Sequence, residues 1–151
     1  IWKLILFSLE CLTMDNVIEL KSKVEKKLKF YGLRPTKARL RIGMMFLDKP
    51  KHLSADQVYD KLIEKGHSIS KATVYNTLNA FAERGLLNQV AIDPAKTYYD
   101  SSTNAHHHFF NIDTGQLFDI PSEQLNIESI PQLPQDTKIQ DLEIVIKVKN
   151  K

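Results

Sequence analysis

Ser70-Lys71-Ala72-Thr73-Val74-Tyr75-Asn76-Thr77-Leu78-Asn79-Ala80-Phe81-Ala82-Glu83-Arg84 is the stretch that decides how this chain folds. Ser70 is a helix cap, and the helix it opens runs from Lys71 to about Arg84 with Val74, Leu78 and Phe81 as its buried stripe. Ala72, Tyr75, Asn76 and Asn79 fall at i, i+3, i+4 and i+7 on the other face. A plain solvent face would carry long charges, whereas this one is small, aromatic and amide-bearing. Phenol and amide groups near the start of a helix suit the reading of base edges and thymine methyls in a major groove.

Working outward, three more helices precede this one. From Asp15 to about Tyr31, Val17, Leu20, Val24, Leu28 and Tyr31 recur at steps of three and four. Gly32 ends that helix, and Pro35-Thr36 opens a second through about Asp48, with Leu40, Met44 and Leu47 inward. Ser54 caps a third from Ala55 to Lys65, with Val58, Tyr59 and Leu62 at core spacing, closed by Gly66. Leu86 to Ile92 and Lys96 to Asp100 read as two strands joined by the turn Asp93-Pro94-Ala95. Helices followed by a hairpin describe a winged helix-turn-helix, so the expected fold class is α+β: this domain over 14–98, then a small C-terminal α/β dimerisation domain with an antiparallel sheet over 99–151.

Composition agrees with a folded domain that reads a polyanion. The chain has 151 residues, 42% of them hydrophobic and 26% charged, with five glycines and six prolines. Low-complexity and collagen-like classes are excluded. A single cysteine rules out an intrachain disulfide and a zinc site built on paired cysteines, and implies a reducing, cytoplasmic setting. The net charge of +3 is unevenly held: residues 1–98 contain 17 of the 21 Lys+Arg and 10 of the 18 Asp+Glu, leaving 4 and 8 for residues 99–151. Between Lys21 and Arg41 nine basic residues face one acid, Glu25, where an ordinary solvated face mixes both signs.

Residues 1–13 precede the first methionine, Met14. Their apolar run, broken by Lys3 and Glu10, is too short for a bilayer core of roughly 30 Å, so no membrane partner is expected. The expectation is that Met14 is the true start and 1–13 an extension without a targeting role, which mass spectrometry of the native protein checks; Cys11 would then be lost with it.

The acidic part carries His106-His107-His108-Phe109-Phe110. Alternation along a strand sends His106 and His108 to one face and His107 to the other. The next strand, Gln116 to Ile120, brings Asp119 after the turn Asp113-Thr114-Gly115. A two- or four-residue loop pairs Asp119 with His108, whereas a three-residue loop puts it beside Phe109. Asp100, six residues before His106, is placed to reach back. Imidazole and carboxylate donors without thiolate suit Fe(II), Mn(II) or Zn(II). His67, in the turn before the fourth helix, is given no metal role. Prolines at 121, 131 and 134 exclude one long helix, and Leu142 to Lys149, apolar at even positions, reads as a strand with one buried face. So thin a domain is expected to bury its remaining face by dimerising.

Gly32-Leu33-Arg34-Pro35-Thr36-Lys37-Ala38-Arg39, Lys71-Ala72-Thr73-Val74-Tyr75-Asn76-Thr77-Leu78 and the HHHFF run together resemble the ferric uptake regulator family of metal-responsive transcription factors. Ala95-Lys96-Thr97-Tyr98-Tyr99-Asp100, HHHFF and Phe118-Asp119-Ile120-Pro121 look most like its α-proteobacterial iron response regulator branch. The resemblance implies a homodimer on AT-rich palindromic double-stranded DNA. It implies base contacts from Tyr75 and Asn76, minor-groove contact from Arg34 and phosphate contacts from Thr36 and Arg39, with Lys71 and Thr73 in the same interface. The family's regulatory metal site maps onto His52, Asp100, His106, His108 and Asp119. Its members' Cys-x-x-Cys pair is replaced by Asn111 and Thr114, so a structural zinc held by four cysteines is not expected, and Ala105 and Asn126 stand where a second site needs ligands. The branch uses its HHH segment for haem, which here implies His106, His107 and His108, without the branch's cysteine-proline motif.

The expected function is therefore an iron- and haem-responsive DNA-binding regulator of iron and haem genes, active at low iron, inactivated by haem, with the haem-synthesis machinery as a further partner. Its metal would be Fe(II) or Mn(II), with Zn(II) substituting in vitro. Two alternatives share the fold: a conventional Fe(II)- or Mn(II)-activated repressor, and a peroxide sensor in which bound Fe(II) oxidises His52 or His106. An enzyme is not expected, since no general base on a fixed helix accompanies the His and Asp donors. A metal-buffering protein without a DNA target would bind duplex with no salt dependence.

Overall fold

The computed structural model describes residues 14–49, 51–93 and 95–151. The 1–13 extension and Pro94 of the expected wing turn lie outside the described residues. Four helices come first, α1 (Met14–Phe30), α2 (Lys37–Leu47), α3 (Ala55–Glu64) and α4 (Lys71–Glu83), with a three-residue strand β1 (His52–Ser54) ahead of α3. Then come β2 (Asn88–Asp93), β3 (Lys96–Asp100), β4 (His107–Asn111), β5 (Gln116–Ile120) and β6 (Val145–Val148).

Local chemistry sets the helix boundaries. Thr36 Oγ1 accepts the Arg39 N–H at 3.3 Å, Ser54 forms a reciprocal capping box with Gln57, and Ser70 Oγ accepts the Thr73 N–H at 3.1 Å. At the far end of α3, Gly66 takes φ 75°, which lets its N–H and that of His67 turn back to the carbonyls of Ile63 and Leu62.

The main core gathers Val24 and Leu28 of α1, Ile42 and Phe46 of α2, Val58 and Leu62 of α3, Val74, Leu78 and Phe81 of α4, then Leu86, Leu87 and Tyr99. On α2, Leu40, Met44 and Leu47 pack half-buried against the core as expected, and Ile42, Met45 and Phe46 are buried more deeply beside them. The α2 helix is packed by both α1 and α4, so its core side is broader than a single stripe. Gly43 marks the α1–α2 crossing, where a Cβ would lie 2.7 Å from Val24 Cγ1. Gly43→Ala should therefore overpack this contact and cost about 1–3 kcal/mol in urea unfolding; an unchanged midpoint would show that the helices part freely.

Two small sheets follow. In the first, of strand order β1-β3-β2, β1 has no signal in the sequence; it sets His52 opposite Asp100 in antiparallel register. In the second, of order β5-β4-β6, β4 and β5 are antiparallel with His108 opposite Asp119. The four residues 112–115 that join them choose between the registers the sequence left open. Asn111 Oδ1 organises that loop by accepting the Asp113 and Thr114 N–H groups at 3.0 and 3.2 Å. The last strand, β6, joins β4 in parallel, so the second sheet is mixed, and a 3-10 turn at Ser122–Gln124 is the only helical piece among its described residues.

The face of β6 also differs from expectation. Val145, opposite His108, packs inward with Val90, Ile92, Tyr98 and Phe110 in a second apolar cluster, while Ile146 is exposed. The apolar even positions belong to the outer face of the sheet. That second cluster joins the two sheets: the Tyr98 and Phe110 rings meet edge to face at 5.9 Å, and Tyr98 O–H donates to the Gly115 carbonyl at 2.9 Å.

Candidate metal centre and nucleic-acid interface

Five side chains converge where the sheets meet. His52 comes from β1, Asp100 from the end of β3, His106 from the residue before β4, His108 from β4 and Asp119 from β5. One donor atom from each lies within 4.8 Å of all the others. Asp100 Oδ2 is 2.8 Å from His106 Nε2, 3.2 Å from His52 Nε2 and 3.4 Å from His108 Nε2. Asp119 Oδ1 is 2.8 Å from His52 Nε2, 3.4 Å from His106 Nε2 and 3.6 Å from His108 Nε2.

These close approaches are not hydrogen bonds. His52 Nε2, Asp100 Oδ2, His106 Nε2 and His108 Nε2 are all buried with no properly directed partner. Four orphaned polar atoms in one spot would be costly in a finished core, and they lie close enough together to share one partner. Donors on opposite sides of a first-row ion, with bonds of about 2.0–2.2 Å, stand about 4.0–4.4 Å apart, so a few tenths of an ångström of movement fits the cluster around one ion. Three imidazoles and two carboxylates fit Fe(II), Mn(II) or Zn(II).

The outer atoms hold this arrangement. His106 Nδ1 lies 2.6 Å from the Asn104 carbonyl, and His108 Nδ1 2.9 Å from Glu143 Oε1. Both contacts call for Nδ1–H, which leaves Nε2 bare toward the centre. Asp100 is fixed by its other oxygen, which accepts the Ser102 N–H at 2.7 Å. Sequence reasoning missed Ser102, Asn104 and Glu143; no spacing rule signals the last, since it arrives through the parallel β4–β6 pairing.

Burial disfavours the charged form of His52, but the Asp100 and Asp119 carboxylates beside it outweigh this and raise its pKa. Burial also pushes the Asp100 carboxyl up, and is overcome by His108, His52 and the Ser102 amide, which hold it well below the usual carboxylate range. A cation held by His52 would compete with the proton that the raised pKa favours on this ring. Mn(II) affinity should be level above the raised pKa and fall by about tenfold per pH unit below it. Titration across roughly pH 5.5 to 8 reads this, and constant affinity would remove His52 from the donor set.

His107 stands apart from the cluster. It is buried on the opposite face of β4, and its Nδ1 accepts the Ile144 N–H at 3.2 Å. The structure thus brings together all five expected metal ligands, and separates His107 from His106 and His108.

Exposed basic side chains run along α1 and the entry to α2. Lys21, Lys23, Lys26, Lys27 and Lys29 are exposed along α1, as are Arg34 and Lys37 at the start of α2. On α4, Thr73, Tyr75 and Asn76 are exposed, with Tyr75 at 42%. Thr36 is engaged as the α2 cap, and Arg39 Nη1 donates to the Arg34 carbonyl at 3.0 Å, bracing the chain that leads into α2. Lys71 Nζ is 3.2 Å from Asp56 and lies over the Tyr59 ring, tying the start of α4 to α3. Asn79 faces the wing, where its Oδ1 accepts the Tyr99 hydroxyl at 2.8 Å. Among the described residues no helix is long and apolar enough to cross a membrane.

The sequence profile of the ferric uptake regulator family matches residues 31–147, from the turn before α2 to β6. The chain belongs to that family. It is 36% identical over 99 residues to the ferric uptake regulation protein of Vibrio anguillarum, covering 64% of this chain and 66% of that one. It is 34% identical over 108 residues to that of Yersinia pestis, covering 70% and 71%. The matched part spans just under two thirds of the Vibrio relative's length. Among solved structures, the manganese-bound ferric uptake regulator of Pseudomonas aeruginosa superposes with a TM-score of 0.62 at 25% identity, over 85% of this chain and 98% of that one. The iron-bound regulator of Francisella tularensis gives 0.64 at 28% identity, over 80% and 93%. The α+β architecture is thus that of the ferric uptake regulator family.

Proposed function

We propose that the protein is a metal-responsive transcriptional regulator of metal homeostasis, binding double-stranded DNA as a homodimer under the control of Fe(II) or Mn(II). One observation carries this reading: five donors drawn from both sheets converge on one point, four of them buried and unpartnered. A bound divalent cation would supply the positive charge these donors lack. His52 and Asp100 belong to the sheet attached to the helices, and His108 and Asp119 to the C-terminal sheet. Drawing them together fixes the angle of the helices to the C-terminal unit, and in a dimer that angle sets the distance between two α4 helices.

The dimer reading is supported by a row of apolar side chains across all three C-terminal strands. Phe118, Phe109 and Ile146 are aligned neighbours, at 49%, 36% and 38% exposure. A second copy placed over this face would bury the row. On DNA, Tyr75, Asn76 and Thr73 are the proposed base readers on α4. Arg34 is the proposed minor-groove contact, favouring AT-rich sites where that groove is narrow, and Thr36, Arg39 and Lys71 sit at the phosphates.

Anisotropy of labelled duplex at fixed salt tests the reading: Mn(II) should tighten binding and chelation should release it. A haem-inactivated regulator of the iron response type, working with the haem-synthesis machinery, is the alternative suggested by the HHHFF segment. It has the opposite sign, since haem would release DNA, and His107→Ala would reduce haem binding while sparing Mn(II). The cluster geometry favours the metal-activated form, because His106 and His108 already point at the other donors and His107 holds a backbone amide.

A further inference from the structure

We infer that Glu143 is a positioning residue for the metal centre, fixing the tautomer and direction of His108 and linking the C-terminal strand to the cation; this rests on the metal reading above. His108 is almost fully buried, and its Nδ1 lies 2.9 Å from Glu143 Oε1, while its Nε2 is one of the orphaned atoms of the cluster. A carboxylate at that distance accepts a proton and does not donate one, so His108 carries its proton on Nδ1 and presents Nε2 as a lone pair.

Glu143 reaches His108 through a connection that spans most of the C-terminal unit. Its neighbour Ile144 is clamped on both sides, with its carbonyl accepting the His108 N–H at 3.0 Å and its N–H donating to His107 Nδ1 at 3.2 Å. His107 is thus given a task that the cluster does not explain: it anchors the residue next to Glu143. Glu143 and Asp141 also line a cleft of about 140 Å³ that reaches Asp100, His106 and His108. The same carboxylate therefore borders the cleft that reaches the donors. Seating of β6 and readiness of His108 become one event, so the strand that carries Ile146 of the proposed dimer face is tied to the donor set.

Two readouts test this. In metal-free protein at about pH 8, nitrogen NMR of labelled histidine should report His108 protonated on Nδ1; Glu143→Ala should shift it to a mixture of tautomers, and Glu143→Gln, which keeps an acceptor oxygen, should restore the wild-type signal. Mn(II) affinity should fall about 10–100-fold in Glu143→Ala and by less in Glu143→Gln. An unchanged tautomer in a folded Glu143→Ala protein would overturn the inference, as would equal Mn(II) affinities in all three proteins. If wild type bound no Mn(II), Fe(II) or Zn(II), the metal reading would fail instead, and the tautomer measurement would still decide what Glu143 does to His108.

Discussion

Asp100→Asn should lower Mn(II) affinity by at least about 100-fold, beyond the 10–100-fold typical of outer partners, and should leave DNA binding blind to the metal. The substitution is nearly isosteric. It retains an oxygen for the Ser102 amide, so the turn after β3 should hold. What it removes is the negative charge on the one oxygen that lies within 3.4 Å of all three imidazoles. Asp119 cannot replace it, because its side chain is 43% exposed and so better screened by water, whereas that of Asp100 is 1% exposed. Loss of the anion also removes much of what holds the His52 pKa up, so the pH dependence of any residual affinity should weaken as well. Calorimetric titration with Mn(II) and the far-ultraviolet spectrum of the metal-free variant measure both points. A folded Asp100→Asn protein with wild-type affinity would remove Asp100 from the centre.

Tyr75→Ala should cost about 1–3 kcal/mol in binding to the specific site, roughly 10–100-fold, while leaving affinity for unrelated duplex nearly intact. Tyr75 is exposed on α4 beside the exposed Asn76, and Thr73, also exposed, shares its hydroxyl with the Ser70 cap at 2.8 Å. Arg39→Ala should behave differently. It should weaken specific and non-specific binding together and flatten the salt slope by about one. Arg39 also braces the Arg34 carbonyl, so some loss of local order before α2 should accompany the change. Parallel titrations at several salt concentrations separate the two. Equal losses on both duplexes for Tyr75→Ala would sink the assignment of base reading to α4.

The parts of the fold set by local chemistry were legible in the sequence. Thr36, Ser54 and Ser70 cap the helices where their hydroxyls predicted, and the strands from Lys96 and Gln116 end at Asp100 and Ile120 as read. The misses share a cause, since each depends on a partner distant in the chain. The strand β1 is three residues long and exists only because β3 pairs with it. The burial of Ile42 and Phe46 follows from α2 being packed by two helices at once, which no single period encodes. For β6, alternation identified a two-faced strand and not which face turns inward; pairing with β4 decided that.

The candidate site divides the same way. His106 and His108 were legible because strand alternation is local, and Asp119 followed once the four-residue loop fixed its register. His52 came through resemblance alone, and the structure brings it to within 3.2 Å of Asp100 by way of β1. Glu143 was invisible because a parallel pairing across 35 residues leaves no periodic trace.

In the proposed mechanism a cation joining the two sheets sets the DNA-competent state. Its most direct test is the affinity of the full chain for a family-type AT-rich duplex, measured by anisotropy at fixed salt, with Mn(II) and then with chelator. Binding that tightens with Mn(II), reverses on chelation and loses this response in Asp100→Asn is the predicted result; affinity indifferent to Mn(II), or weakened by it, would contradict the claim.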